Sequence, residues 1–217
     1  MNLRTQPYLE QLQRWPRTGQ HVLAQFDEDT VVVYQAYRPA IGKYAAQHQH
    51  FGGEFSFSRM SWIKPNFLWM MYRSGWGAKE GQEVTLAVRL RRTGFEEILR
   101  LAVHSSYLPE VYGAPERWRA RLAESPVRLQ WDPDHDPQGG KQERRAIQLG
   151  MASDVLRSYA QDWIVSIEDI SGFVAEQREH AQANWFAKLV TPREEVYPVS
   201  TPEVAARVGI DQNNAQA

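Results

Sequence analysis

The run Thr30-Val31-Val32-Val33-Tyr34-Gln35-Ala36-Tyr37 constrains the fold more than any other part of the chain. β-Branched and aromatic side chains crowd a helix but pack well on a pleated surface, so this run predicts a buried strand. Pro39 follows it, and proline fixes a φ suited to the first turn of a helix. Ile41, Tyr44, Ala45 and His48 then recur at helical spacing, and Gly52-Gly53 closes the segment. There is no cysteine, so no disulfide staples these elements together. The same absence excludes thiolate catalysis and Cys-type zinc or iron–sulfur sites. Stability must come from an apolar core, and 217 residues with 42% hydrophobic content are enough for one.

The rest of the chain mixes strands and helices without a regular βαβ rhythm. The alternation of Phe55 and Phe57 with Ser56 and Ser58 predicts a short strand over Glu54–Trp62. Lys64-Pro65 opens a helix through Phe67–Tyr72 that closes near Gly75. Val84–Leu90 reads as a second core strand. Thr93-Gly94-Phe95-Glu96 has the form of a capping box, and Phe95, Ile98, Leu99 and Ala102 place one apolar face on the helix that follows. A short helix is expected at Pro115–Leu122, strands at Val127–Trp131, Arg145–Leu149 and Trp163–Ile167, and helices at Ser153–Tyr159, at Ser171–Ala183 and from Ser200 onward. Asp132–Lys141 reads as a loop, rich in Asp, Pro and Gly. The expected fold is α+β: a single compact domain with a mixed or antiparallel central sheet and flanking helices. Residues 1–29 form its lead-in, with a helix around Tyr8–Trp15, residues 30–205 form the domain and residues 206–217 a flexible tail.

Charge is one-sided in one place only. The chain as a whole has a net charge of −1, so no global field draws it to nucleic acid or to an anionic membrane. Between Arg38 and Lys79, however, six cations accompany a single acid, Glu54. Trp62, Phe67, Trp69, Tyr72 and Trp76 are threaded among Arg38, Lys43, Arg59, Lys64, Arg73 and Lys79. Cations beside flat rings suit a ligand that has both phosphates and bases, because arginine pairs phosphate bidentately and rings stack on bases. Arg38 and Lys64 each stand just before an expected helix start. There a positive side chain is unfavourable unless an anion joins it. The same features also fit a packed core with a solvated charged face.

Carboxylates gather elsewhere. Asp132, Asp134, His135 and Asp136 form a dense group, whose chemistry suits acid–base work, a divalent metal or an ordinary turn. No spacing here defines a dedicated metal site. Glu168 ends the strand that begins at Trp163. Arg38, Ser56 or Ser58, and Glu168, in that order, are similar to the arginine–serine–glutamate pattern of ADP-ribosyltransferases. That likeness implies NAD as a cosubstrate, with the arginine on its phosphates and the glutamate on its ribose. The Ser-Thr-Ser and Glu-x-Glu forms of that pattern do not occur. No nucleophile elbow, P-loop or dinucleotide glycine fingerprint is present.

Four longer strings carry a closer resemblance. They are Val33–Ile41 (Val-Tyr-Gln-Ala-Tyr-Arg-Pro-Ala-Ile), Phe57–Trp76, Trp131–Asp136 (Trp-Asp-Pro-Asp-His-Asp) and Arg144–Gly150. Together they resemble the domain of unknown function 4291 family over roughly Thr30 to Arg178. The resemblance implies a stand-alone protein of about this size and no particular activity.

The residues therefore lead to one expectation and two alternatives. The expectation is an enzyme acting on a phosphate-bearing nucleotide, dinucleotide or nucleic acid. In it Arg38, Ser58, Arg59, Lys64 and Arg73 bind phosphate, Trp62 and Trp69 stack, and Asp134, His135, Asp136 and Glu168 supply acid–base chemistry. NAD or a divalent metal is the cofactor such groups could take. The alternatives are the ADP-ribosyltransferase-like transferase and a non-catalytic binder of RNA or single strands. The N-terminus lacks the apolar run of a signal peptide and no segment reaches bilayer length, so a cytoplasmic protein without membrane contact is expected. The sequence does not fix an oligomeric state. The enzyme reading demands that these separated segments meet around one concavity.

Overall fold

The computed structural model describes residues 3–211. The first elements are β1 (Thr5–Pro7), the single-turn helix α1 (Tyr8–Leu12) and β2 (Leu23–Ala24). The β-branched run forms β3 (Thr30–Tyr37), with Arg38 as the N-cap residue of α2 (Pro39–His48). Next come β4 (Ser61–Ile63), α3 (Phe67–Ser74), β5 (Val84–Arg91) and α4 (Arg92–Leu101). They are followed by β6 (Ala102–His104), α5 (Pro109–Tyr112), α6 (Pro115–Glu124), β7 (Val127–His135) and β8 (Lys141–Met151). The helix α7 (Ser153–Ser158) runs into a π-turn at Tyr159–Trp163, and then β9 (Ile164–Asp169) and α8 (Ser171–Gln182) follow. The last elements are β10 (Val190–Pro192), β11 (Glu195–Val196) and α9 (Pro202–Val208).

The fold is α+β, with its strands in antiparallel and mixed sheets. A three-stranded antiparallel sheet has the order β3-β5-β9, and a four-stranded sheet has the order β4-β8-β7-β6, with β6 parallel to β7. Two ribbons, β1 with β10 and β2 with β11, tie the N-terminal lead-in to the C-terminal segment. One bridge joins the larger sheets: Tyr34 N donates to the Lys64 carbonyl at 2.7 Å, and Lys64 N to the Tyr34 carbonyl at 3.2 Å.

Alternation along β3 divides the core in two. Val31 and Val33 face the four-stranded sheet, where they pack with Val88, Leu149 and the α4 residues Phe95, Ile98 and Leu99. Val32 and Tyr34 face the other way, toward Phe67, Leu68 and Met71 of α3, Val174 of α8, and Tyr8 and Trp15 from the lead-in. A strand buried on both faces reads as a near-continuous apolar run, which is the pattern of Thr30–Tyr37. The lead-in thus supplies core side chains. Of the expected tail, residues 206–208 complete α9 and bury Val208 in the core, and residues 212–217 lie outside the described residues.

Three local expectations differ from the structure. Residues 51–60 form no strand: Phe55 packs 4.7 Å from Phe51 and 5.0 Å from Phe57 between ring centroids, so the Phe–Ser alternation pins a loop instead. The capping box does not form, because β5 runs directly into α4 and the Arg92 N–H is taken by the Asp29 carbonyl at 2.8 Å. Residues Asp132–His135 continue β7, with a register shift between Pro133 and His135, and the loop is confined to residues 136–140. As its sequence position predicts, Gly75 ends α3 at φ 57°, in the left-handed region.

Candidate functional site

The joint between the two larger sheets opens into a cavity of about 810 Å³. Its lining includes Arg38, Arg59, Trp62, Lys64 and Arg73 from the basic segment, together with Glu54, Gln35, Tyr37, Ser61 and Gln148. Four cations therefore face one carboxylate. Arg38, exposed at the strand-to-helix turn, pairs with Glu54. Arg59, Lys64 and Arg73 form no ion pair among the described residues. Arg73 lies over the Trp69 ring, its guanidinium carbon 5.9 Å from the centroid.

Lys64 is the unusual member. It is 6% exposed, and its backbone is held on both sides by the bridge to Tyr34. Its side chain has no hydrogen-bond partner among the described residues. Burial pulls its pKa down from 10.5 to about 8, and the nearby Arg73 cation adds to this while Asp132 opposes it. The helix start that follows is already satisfied from within the chain. Asn66 caps α3 by accepting from Trp69 N at 2.7 Å, and the buried Glu194 carboxylate accepts from Phe67 N at 2.7 Å. Glu194 serves that terminus and forms no ion pair with Lys64.

Trp62 stands opposite Gly150 in the register of β4 and β8. Its ring lies across that glycine beside the Met60 thioether: a Cβ added at Gly150 would sit 2.7 Å from Met60 Sδ, 2.7 Å from Trp62 Cε2 and 2.9 Å from Cδ2. Gly150 therefore lets the indole lie flat on one strand while it lines the cavity. Gly150→Ala is expected to tilt the ring and to cost about 1–3 kcal/mol of stability by overpacking. It should also lower affinity for a stacked base about tenfold or more while leaving inorganic phosphate unaffected. Calorimetric titration of the variant with both ligands checks this.

Neutral polar groups complete the wall. Gln35 Nε2 lies 2.8 Å from Tyr37 Oη, 2.9 Å from Ser61 Oγ and 3.1 Å from the Trp62 carbonyl, its two hydrogens shared among these three acceptors. Tyr159 Oη donates to Gln35 Oε1 at 2.5 Å, which fixes the amide, and Tyr37 Oη lies 2.7 Å from Ser61 Oγ. Burial raises the Tyr37 pKa, so its phenol stays protonated. The sequence reading missed Gln35, Tyr37, Ser61 and Gln148. The available signal was Gln35, an amide in the middle of an otherwise apolar strand.

The other expected site residues lie elsewhere. Ser58 is exposed on the loop, with Oγ 3.1 Å from Ser56 Oγ, and does not line the cavity. Trp69 is buried behind it, in a stack with Tyr72 and His135. His135 is 3.6 Å from Tyr72 between ring centroids, and neither of its nitrogens has a hydrogen-bond partner among the described residues. Burial lowers its pKa, so the ring is neutral near pH 7. Asp134 is buried against Arg144, with Oδ2 2.5 Å from Nε, and it also accepts from His135 N at 2.7 Å. Burial pushes the Asp134 carboxyl up, against the pull of that guanidinium. Asp136 shapes the β7–β8 turn, accepting from Gln138 N at 2.9 Å and Gly140 N at 2.8 Å. Glu168 sits on β9, which β5 separates from β3. The convergence demanded of these segments thus holds for the basic half, Arg38, Arg59, Trp62, Lys64 and Arg73, and does not extend to Asp134, Asp136 or Glu168, whereas Asp132 accepts from the cavity-lining Gln148 Nε2 at 2.7 Å. Among the described residues no group of three His, Asp or Glu side chains is placed to hold a metal ion. No helix among them is long and apolar enough to cross a membrane.

Fold and cavity together define a mixed α/β protein with a basic, aromatic-walled concavity at a sheet joint. The chain belongs to the family described as Domain of unknown function (DUF4291), whose model matches residues 21–197. That span includes every cavity residue named above. No curated protein matches the chain.

Proposed function

We propose that the cavity binds a phosphate-bearing ligand of the nucleotide class. One observation supports this above the others: Lys64 is buried at a sheet joint with no ion-pair partner among the described residues, Asp132 acting on it only from beyond ion-pair distance, and Arg59 and Arg73, also without ion pairs, line the same cavity. Burying an ammonium without a partner is costly, and proteins accept such a cost where a ligand completes the environment. The volume suits a nucleotide-sized molecule, since small-molecule sites run to roughly 300–1,000 Å³. Trp62, flat on Gly150, adds a surface for a base.

Calorimetric titration with ADP, inorganic phosphate and adenosine tests the reading. ADP is expected to bind most tightly, and its affinity should fall as salt rises, because the attraction is ionic. Arg59→Ala should weaken ADP by about tenfold, the size of one lost charge-assisted contact. Equal affinity for adenosine and ADP, or indifference to salt, would rule out a phosphate site. Tighter binding of short RNA than of ADP would favour the open single-strand reading instead.

A further inference from the structure

Lys64 is placed differently from a cation that only anchors phosphate. Arg59 and Arg73 already present exposed guanidinium groups to the cavity, whereas Lys64 is 6% exposed and fixed by its backbone bridge. An amine that is desolvated, unpaired and close to another cation is the type of lysine that acts as a nucleophile. A second observation points the same way. Tyr37 Oη and Ser61 Oγ both accept from Gln35 Nε2 and lie 2.7 Å apart. One of their two hydroxyl hydrogens is used between them, and the other has no protein acceptor among the described residues. Both side chains line the cavity, so that hydrogen is free to bond an acceptor on the ligand.

We propose that Lys64 forms an imine with the carbonyl carbon of an aldehyde or ketone that carries a phosphate, with the Tyr37–Ser61 pair donating to the carbonyl oxygen. This inference rests on the phosphate-site reading above and names the reactive class of ligand within it. The amine lone pair adds to the carbonyl carbon, and the C=O π pair takes a proton from the hydroxyl pair. Nitrogen gives up a proton that restores the hydroxyl. The nitrogen lone pair of the carbinolamine then expels the hydroxyl, which leaves as water with the second proton of the nitrogen, and a C=N bond to Nζ remains. No oxidant or reductant is needed. With a pKa of about 8, roughly a tenth of Lys64 is neutral near pH 7, where an ordinary lysine is almost wholly protonated.

Pyridoxal 5′-phosphate is a suitable probe, because it combines an aldehyde, a phosphate and a flat ring. The full chain is treated with it, reduced with borohydride and mapped by peptide mass spectrometry, and ADP binding is titrated in parallel. The expected result is a stable adduct at Lys64, suppressed by ADP, with a labelling rate that levels off above about pH 8. Tyr37→Phe and Ser61→Ala should each slow labelling several-fold without moving that pH profile. Labelling confined to Lys43, Lys79, Lys141 or Lys188 while ADP still binds would overturn the imine chemistry and leave the phosphate site standing. Loss of both Lys64 labelling and ADP binding would remove the phosphate site as well. The wild-type peptide map does not depend on any variant folding.

Discussion

Lys64→Met is expected to stabilise the protein by about 3 kcal/mol near pH 7 and to weaken its binding of phosphate, leaving only what Arg59 and Arg73 hold. The unfolded chain holds the Lys64 proton up to its ordinary pKa of 10.5, whereas the folded protein holds it only up to about 8. Below about pH 8 the folded state therefore bears the full cost of a buried charge. As pH rises from about 8 to 10.5 the unfolded state binds more protons than the folded one, so wild-type stability rises. The advantage of the methionine should shrink over that interval and vanish above it. For a chain of this size, about 3 kcal/mol corresponds to roughly 6–12 °C in Tm. Methionine matches the length of the lysine stem, so packing is kept while the charge goes. Thermal unfolding of both proteins near pH 7 and pH 10.5 checks the interval. A variant that is less stable at both pH values would show that the ammonium is satisfied within the fold.

Asp134→Asn is expected to cost about 3–5 kcal/mol of stability while leaving ADP affinity unchanged. Asp134 and Arg144 are 1% and 3% exposed, and the Arg144 guanidinium also lies over Trp15, 5.2 Å from the ring centroid. The pair fastens the β7–β8 hairpin to the lead-in. Asparagine could still accept from His135 N, but it would leave Arg144 without its ion-pair partner, the other nearby acid being Glu194, whose carboxyl is pushed well up by burial. Neither residue lines the cavity. Urea unfolding and ADP titration of the same variant separate the two effects. A loss of ADP affinity without a loss of stability would return Asp134 to the functional site.

The parts of the fold that were legible in the sequence are those whose signal is local. Thr30–Tyr37 reads as a buried strand because every residue but Gln35 and Ala36 favours that state, and its observed limits agree. Gly75 could be placed because only a left-handed residue ends that helix. Asp132–His135 could not, because Asp and Pro argue against a strand. There the partner strand overrides propensity: Pro133 stands opposite Arg145, whose N–H bonds to the Gly19 carbonyl at 2.7 Å.

The site divides along the same line. An excess of cations over acids between Arg38 and Lys79 is visible in linear order, and Arg38, Arg59, Lys64 and Arg73 do meet around one cavity. Which charges are already paired depends on residues far apart. Glu194 reaches Phe67 and Asn66 across the chain, and Asp134 is taken by Arg144. A dense acidic cluster looks catalytic in sequence whether or not its members have structural partners. Neutral groups such as Ser61 and Gln148 become part of a site only when a sheet joint brings them together.

ADP affinity measured from about pH 7.5 to 9.5 tests the role of Lys64 most directly, since ADP keeps its charge over that range. The free protein binds the anion through the ammonium form, so wild-type affinity should decline as pH passes about 8, by up to tenfold per pH unit, while Lys64→Met shows only weak, pH-independent binding. Wild-type and variant curves that coincide would mean that Lys64 takes no part in holding the ligand.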